Sequence, residues 1–275
     1  AAAVPQIDVI IGGPSHTLMT DGDADTPAYP EMIEGTPVAQ AYAYTKYLGE
    51  LSLTFDDEGN VIEATGDPIL LDASVTPDPE MSARIAEMGA PIEEMKTQVV
   101  AEAETPIIGS REVCRTMECP MGNLVADAML DRVADQGIEI AIQNGGGLRA
   151  SIGQGEVTMG DVLTVLPFQN TLSTFEVSGE TIVAALENGV GQVEDGAGRF
   201  PQIAGMSYTV DLGAEPGSRI SEVMVGGEPI DMGATYGVVS NNYVRNGGDG
   251  YSMFVGAENA YDFGPDLADV TAEYM

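Results

Sequence analysis

The sequence predicts an α+β fold, and three observations carry that expectation. From Val99 onward, strand-type apolar runs are interspersed with stretches of helical spacing over about 170 residues, as one α+β domain would require. The first seventy or so residues show strand patterns without a helix of their own to cover them. Between these parts, from Pro77 to Gln98, the character changes to helical. At 275 residues and 44% hydrophobic, the chain is long enough for one large domain or two ordinary ones with a packed core. No internal repeat or low-complexity segment is visible.

In chain order, residues 7–11 form an apolar run stopped by Gly12-Gly13, which reads as a buried strand followed by a loop. Residues 36–40, 47–55 and 61–69 read as strands, with Asp57-Glu58-Gly59-Asn60 as a hairpin turn. Asp78-Pro79-Glu80 opens a helical pattern, Gly89-Ala90-Pro91 is expected to interrupt it, and residues 92–98 resume it. This stretch is the expected interdomain linker. Residues 99–103 are a strand, and residues 121–136 an amphipathic helix with Leu124, Ala128, Leu130 and Val133 near helical spacing. A strand at 138–142 delivers the Gly-rich loop after it. A short helix at 159–166 ends before Pro167, a strand follows at 171–177, and Ser178-Gly179-Glu180 leads into a helix at 181–188. Residues 206–212, 220–225 and 236–240 are further strands.

The net charge of -34 argues against a nucleic acid polymer and an anionic membrane surface as partners, because both are gripped by Lys and Arg patches. Such a chain repels itself, and salt screens that repulsion, so a saline habitat or an acidic secreted protein both fit. No run approaches the roughly 20 apolar residues of a membrane span, and no signal-peptide pattern opens the chain. The opening Ala1-Ala2-Ala3-Val4-Pro5 reads as a cut inside a longer protein.

The two cysteines, Cys114 and Cys119, are too few for a zinc site and too widely spaced for a thioredoxin-type pair. A short-loop disulfide and two free thiols remain. The disulfide is favoured because an isolated pair suits an oxidising compartment, and it would fix the turn that carries Arg115.

Three segments carry the chemistry: Cys114-Arg115-Thr116-Met117-Glu118-Cys119-Pro120-Met121-Gly122-Asn123-Leu124, then Gln143-Asn144-Gly145-Gly146-Gly147-Leu148-Arg149, then Asn246-Gly247-Gly248-Asp249-Gly250. Arg115 and Arg149 suit two-point contact with phosphate or carboxylate, although 44 acidic residues make structural ion pairs a real competitor. Consecutive glycines let backbone N–H groups approach an anion. Asn144 both donates and accepts. Asp249 can accept from two neighbouring hydroxyls or simply form an Asp-Gly turn. Phe168 and Tyr243 can stack on a flat base or belong to the core.

In order and wording these segments resemble the C-terminal, substrate-binding domain of the 5'-nucleotidase family, which includes UDP-sugar hydrolases and ecto-5'-nucleotidase. The resemblance runs from about Thr105 to Phe254. It implies a mixed sheet with flanking helices, with Arg115 and Arg149 near phosphate and sugar, Asn144 on the nucleoside and Asp249 on ribose. It also implies Phe168 and Tyr243 as a clamp on the base, with Gly146 and Asn246 in the same set. The family often has Phe where this chain has Tyr243. Residues 12–17, Gly-Gly-Pro-Ser-His-Thr, resemble the last metal-binding loop of the family's N-terminal calcineurin-like phosphoesterase domain. Pro14 stands where the family has a ligating His. His16, the sole His, matches the second polar position and is the one metal candidate, or an ordinary polar loop residue.

The resemblance therefore implies three parts: a remnant of the metallophosphoesterase domain at 1–73, a linker helix at 74–98 and the complete substrate-binding domain at 99–275. The parent reaction would be metal-dependent hydrolysis of a nucleotide phosphoester to nucleoside and phosphate, outside the cytoplasm in periplasm or extracellular space. Its partners would be a nucleotide or nucleoside and the missing N-terminal domain. The divalent metal pair would belong to the parent, and no catalytic residue and no full metal site to this chain, because two-metal hydrolysis needs several His and Asp ligands. The chain alone is expected to be inactive. Pro14 keeps open a non-catalytic module that binds a nucleotide or sugar phosphate. An acidic surface protein that binds nothing is the third alternative.

Overall fold

The computed structural model describes residue 4, residues 6–21 and residues 25–275. Of the opening read as an internal cut, Ala1, Ala2, Ala3 and Pro5 lie outside the described residues. The chain divides into two compact units, Ala1–Glu87 and Met88–Met275.

The first unit contains five described strands. β1 (Ile10–Ile11), β2 (Glu31–Ile33) and β3 (Thr36–Ala39) form a sheet in the order β1-β3-β2, with β1 parallel and β2 antiparallel to β3. β4 (Tyr47–Phe55) and β5 (Val61–Leu70) form a long hairpin. Its turn is held by Asp56, whose carboxylate accepts from the backbone N–H of Glu58 and Asn60, while Gly59 takes the left-handed φ of +87°. Met19, Tyr29 and Ala39, with Leu51 against them, form a small core. Residues 7–11 are not the buried strand expected from their apolarity. Only Ile10–Ile11 is a strand, and Ile11 is 68% exposed. With two residues paired along one neighbour, it lies at the edge of its sheet.

α1 (Pro79–Lys96) runs unbroken through Gly89-Ala90-Pro91, where an interruption was expected. Proline removes one hydrogen bond and crowds the carbonyl four residues earlier. None of the helix is buried, so that carbonyl can turn to solvent without a packing loss. Asp78 caps the start by accepting from the Met81 N–H at 2.8 Å.

The second unit opens with β6 (Val99–Ala103), α2 (Arg111–Cys114), α3 (Pro120–Arg132), β7 (Ile140–Asn144), β8 (Gly155–Thr158) and α4 (Met159–Val165). It continues with β9 (Leu172–Ser178), α5 (Gly179–Val190), β10 (Pro201–Ala204), β11 (Met206–Val210), β12 (Ile220–Val225), β13 (Glu228–Pro229), β14 (Thr235–Asn241), α6 (Asn242–Arg245), β15 (Glu258–Tyr261) and α7 (Leu267–Tyr274). The central mixed sheet has the order β10-β7-β14-β9-β15, and only β7 and β14 are parallel. β6 pairs with β8, and β11, β12 and β13 form a meander.

The strand period of two sorts side chains onto the two faces. Ala141 of β7, Val239 of β14 and Leu172 of β9 join a core with Val125 and Met129 of α3, Val162 of α4 and Leu267 of α7. Ile140, Ile142, Val238 and Phe175 join the other, against Ile182, Ala185 and Leu186 of α5. Burial on both faces explains why β7 and β14 read as nearly continuous apolar runs. Helix starts are set by caps: Cys119 with Pro120 at the first helical position of α3, the Thr158–Asp161 capping box of α4, Ser178 for α5 and Asp266 for α7.

Candidate functional site

Because β7 and β14 are parallel neighbours, the loops that leave their C-terminal ends emerge together at one edge of the sheet. The first is Gly145–Gly147 and its flanks, and the second is α6 and the glycine-rich turn after it. These loops, with the turn after α2 and the connection between α4 and β9, enclose a cleft of about 870 Å³. Arg115, Asn144, Gly146, Arg149, Phe168, Tyr243, Asn246 and Asp249, the eight substrate contacts expected from sequence, all line it.

Arg115 caps the C-terminus of α2 inside a loop closed by the Cys114–Cys119 disulfide. Its Nη1 donates to the Gly196 carbonyl at 3.3 Å, while its buried Nε has no hydrogen-bond partner among the described residues. Burial first, then the neighbouring charges of Arg111 and Arg149, lower its pKa, and Asp249 and Glu112 oppose the shift. A guanidinium keeps its proton, so the consequence is positive charge that an incoming anion would relieve. Elsewhere Lys96, Arg132, Arg219 and Arg245 are paired with Glu93, Glu273, Glu194 and Asp262. Among the described residues no ion pair holds Arg111, Arg115 or Arg149, in a chain with 44 acidic and only 10 basic side chains.

The glycine loop is held close to its surroundings. The Gly146 N–H donates to the Gly198 carbonyl at 2.7 Å, and a Cβ on Gly145 would collide with the Cys114 carbonyl. The expected approach of this loop to an anion therefore competes with a backbone bond that the Gly146 N–H already makes.

Asn144, Tyr243 and Asp249 form one polar unit. Asn144 Nδ2 donates to Asp249 Oδ2 at 2.7 Å, and the Tyr243 hydroxyl donates to Asp249 Oδ1 at 3.0 Å while accepting the Asp249 N–H at 3.2 Å. Asp249 sits at φ 52°, a left-handed conformation that Asp tolerates better than most residues. The amide of Asn144 is oriented from behind: Asn241 Nδ2 donates at 2.9 Å to both Asn144 Oδ1 and Gln143 Oε1. Burial, followed by the Asp249 carboxylate, raises the pKa of Tyr243, which keeps its hydroxyl a donor. With one protein donor on each oxygen, the Asp249 carboxylate retains acceptor capacity on both.

Phe168 and Tyr243 are 55% and 49% exposed, unlike the fully buried Phe175, Tyr251 and Phe254. The Arg149 guanidinium lies 5.6 Å from the centre of the Phe168 ring. Asn246 is turned back on α6, its Nδ2 donating to the Asn242 carbonyl at 2.7 Å. Asn170 and Asn242, bonded to each other at 2.7 Å, also line the cleft and were not singled out from sequence. Neither were the supports Gln143 and Asn241. The Asn241-Asn242 pair at the end of an apolar strand is the signal that points to them.

His16 is exposed, at φ 54°, with its ring edge-on to Tyr44 at 5.2 Å. Among the described residues no three His, Cys, Asp or Glu side chains gather as metal ligands. The sequence neighbours of His16, Ser15 and Thr17, are bonded to each other at 2.8 Å, and Ser15 also bonds the Gln40 amide. A neutral hydroxyl pair beside one imidazole does not fit the carboxylate- and His-rich set that holds two divalent metals.

Comparison with known proteins gives a family model described as "5'-nucleotidase, C-terminal domain", matched over residues 99–256. A "Trifunctional nucleotide phosphoesterase protein YfkN" of Bacillus subtilis is 39% identical over 272 residues, covering 96% of this chain and 18% of that protein. A human "5'-nucleotidase" is 33% identical over 303 residues, covering 100% of this chain and 53% of that protein. The crystal structure of a 5'-nucleotidase precursor from Thermus thermophilus superposes with a TM-score of 0.68 at 39% identity, over 97% of this chain and 56% of that one. The chain thus spans about half the length of the human and Thermus proteins and a smaller share of the Bacillus one.

Proposed function

The chain belongs to the 5'-nucleotidase family, matched through that family's C-terminal domain, and on that premise we propose that residues 99–275 grip a nucleotide for hydrolysis by a longer parent protein. The observation that carries this reading is the cleft itself. It combines arginines that no ion pair holds among the described residues, two exposed aromatic rings and a carboxylate with free acceptor capacity on both oxygens. Arg115 and Arg149 hold the phosphate end by charge-assisted bonds. Phe168 and Tyr243 take the base by stacking, and Asn144 bonds the nucleoside. Asp249 accepts from the vicinal hydroxyls of ribose.

Residues 1–73 are a remnant of the metallophosphoesterase domain, and residues 74–98 the linker. A divalent metal pair held elsewhere in the parent would supply the hydrolytic chemistry, because Ser15, His16 and Thr17 do not make the carboxylate- and His-rich set such a pair needs. This chain's share of the reaction is to bind and orient. Its disulfide supports a periplasmic or extracellular setting, since such bonds persist in oxidising compartments. Among the described residues no helix is long and apolar enough to cross a membrane.

The test is phosphate release from AMP with zinc, manganese or calcium present. The parent protein should turn over and the 275-residue chain should not. Turnover by the chain alone would overturn the division of labour. A parent without activity on any nucleotide would leave the binding module alone.

A further inference from the structure

We infer that Gln202 is the positioning residue for Arg115, and that the anion grip depends on this buried amide as well as on the disulfide; the inference rests on Arg115 contacting phosphate. Gln202 lies on β10 and is 1% exposed. Its Oε1 accepts from the Cys119 N–H at 3.1 Å, and its Nε2 donates to the Cys114 carbonyl at 2.9 Å and to the Met117 carbonyl at 2.8 Å. One side chain thus anchors both ends and the middle of a single loop.

Arg115 and Thr116 lie between the two anchored carbonyls. The disulfide joins the loop's ends without itself fixing the torsions between them, and closing so short a loop removes little chain entropy. The Arg115, Thr116 and Met117 N–H groups bond back to the Arg111 and Val113 carbonyls, and the bond from Gln202 to the Met117 carbonyl ties that turn to β10. The start of α3 is built around the same amide, because a Cβ on Gly122 would collide with the Gln202 side chain. In the ladder of β10 and β7, Gln202 stands directly opposite Gln143, whose neighbour Asn144 enters the cleft. The support of the arginine loop and the support of Asn144 therefore share one rung of the sheet. Buried amides satisfied in this way are strong positional constraints, since leaving their partners unpaired is costly.

The test separates positioning from general structure by comparing AMP with adenosine. Gln202→Met keeps the length of the side chain and removes all three bonds. By calorimetry on the full chain, the preference for AMP over adenosine should fall about tenfold in Gln202→Met, while adenosine affinity stays within about twofold. Equal losses for both ligands, or an unchanged preference, would overturn the inference. A second readout needs no variant. Titrating the wild-type chain with inorganic phosphate should shift the Gln202 side-chain amide resonances, which report on the loop through the Cys114 and Met117 carbonyls. Resonances that stay still while phosphate saturates the cleft would also overturn it. If the wild-type chain binds AMP no more tightly than adenosine, the phosphate reading of Arg115 fails first. If it shows the preference and Gln202→Met keeps it, only the role of Gln202 fails.

Discussion

Asp249→Asn tests the sugar contact with little disturbance of the backbone. Asn tolerates the left-handed conformation at φ 52° as readily as Asp, so the substitution adds no strain. Its consequences follow from the bonds already present. Asn144 cannot turn its amide to suit the change, because its Oδ1 is held by Asn241 at 2.9 Å. The new side chain must therefore keep its oxygen toward Asn144 Nδ2 and place its NH₂ toward the Tyr243 hydroxyl, which can rotate and accept. One acceptor oxygen for the diol is lost, and the remaining one is neutral. A hydrogen bond to a charged group contributes about 1.5–3 kcal/mol. Since about 1.4 kcal/mol is a factor of ten, adenosine affinity should fall on the order of 10- to 100-fold. 2'-Deoxyadenosine cannot make the paired contact and should lose much less, so discrimination between the two sugars should nearly disappear. Calorimetric titration of both nucleosides into wild type and Asp249→Asn measures this. Equal losses for the two would refute the diol contact and leave Asp249 as a turn residue that supports Tyr243.

Phe168→Ala or Tyr243→Ala should weaken adenosine binding by roughly tenfold or more, since base–aromatic stacking contributes about 1–3 kcal/mol per base; unchanged affinity without both rings would make them part of the packing. Tyr243→Phe keeps the ring but removes both bonds to Asp249, so ribose discrimination should fall while overall stacking survives, by the same titrations. Thiol titration of the unreduced, denatured chain should find no reactive cysteine, and two thiols per chain would contradict the Cys114–Cys119 bond. The Asp161 carboxyl is held below its usual 3.8, first by the Thr158 side chain and then by the Thr158 backbone N–H. A depressed acid stabilises the fold above its unfolded value and loses that contribution as pH falls through its folded value. Asp161→Asn should therefore lower Tm at pH 7, and its difference from wild type should shrink as pH drops below about 4. A difference that does not change with pH would rule out the ionised capping box.

Much of the fold was legible where local pattern and tertiary environment agree. The strands at Tyr47–Phe55, Val99–Ala103 and Ile220–Val225 have the bounds that their alternation and apolarity suggest. β10 was not legible: it begins with proline and carries a polar Gln202 in its middle, and its strand conformation comes from pairing with β7. α7 was missed although Asp266 accepts from the Ala268 and Asp269 N–H groups in the manner of a helix cap. Proline misled in the opposite direction in α1, because a helix with no buried residue tolerates a proline in its interior. At the cleft, glycines and arginines in loops stand out in any sequence. The residues that orient them do not. Gln143 and Gln202 lie within strands next to an apolar residue and Asn241 ends one, and their pairing across the sheet reveals what they hold.

The central claim is that this cleft, within residues 99–275, binds a nucleotide without the rest of the parent. An NMR titration of the isotope-labelled 275-residue chain with AMP tests it most directly. Saturable shifts should concentrate on Arg115, Asn144, Arg149, Phe168, Tyr243 and Asp249, with adenosine moving the aromatic and Asp249 subset and sparing Arg115. Shifts scattered over the surface, or none at millimolar AMP, would contradict the claim.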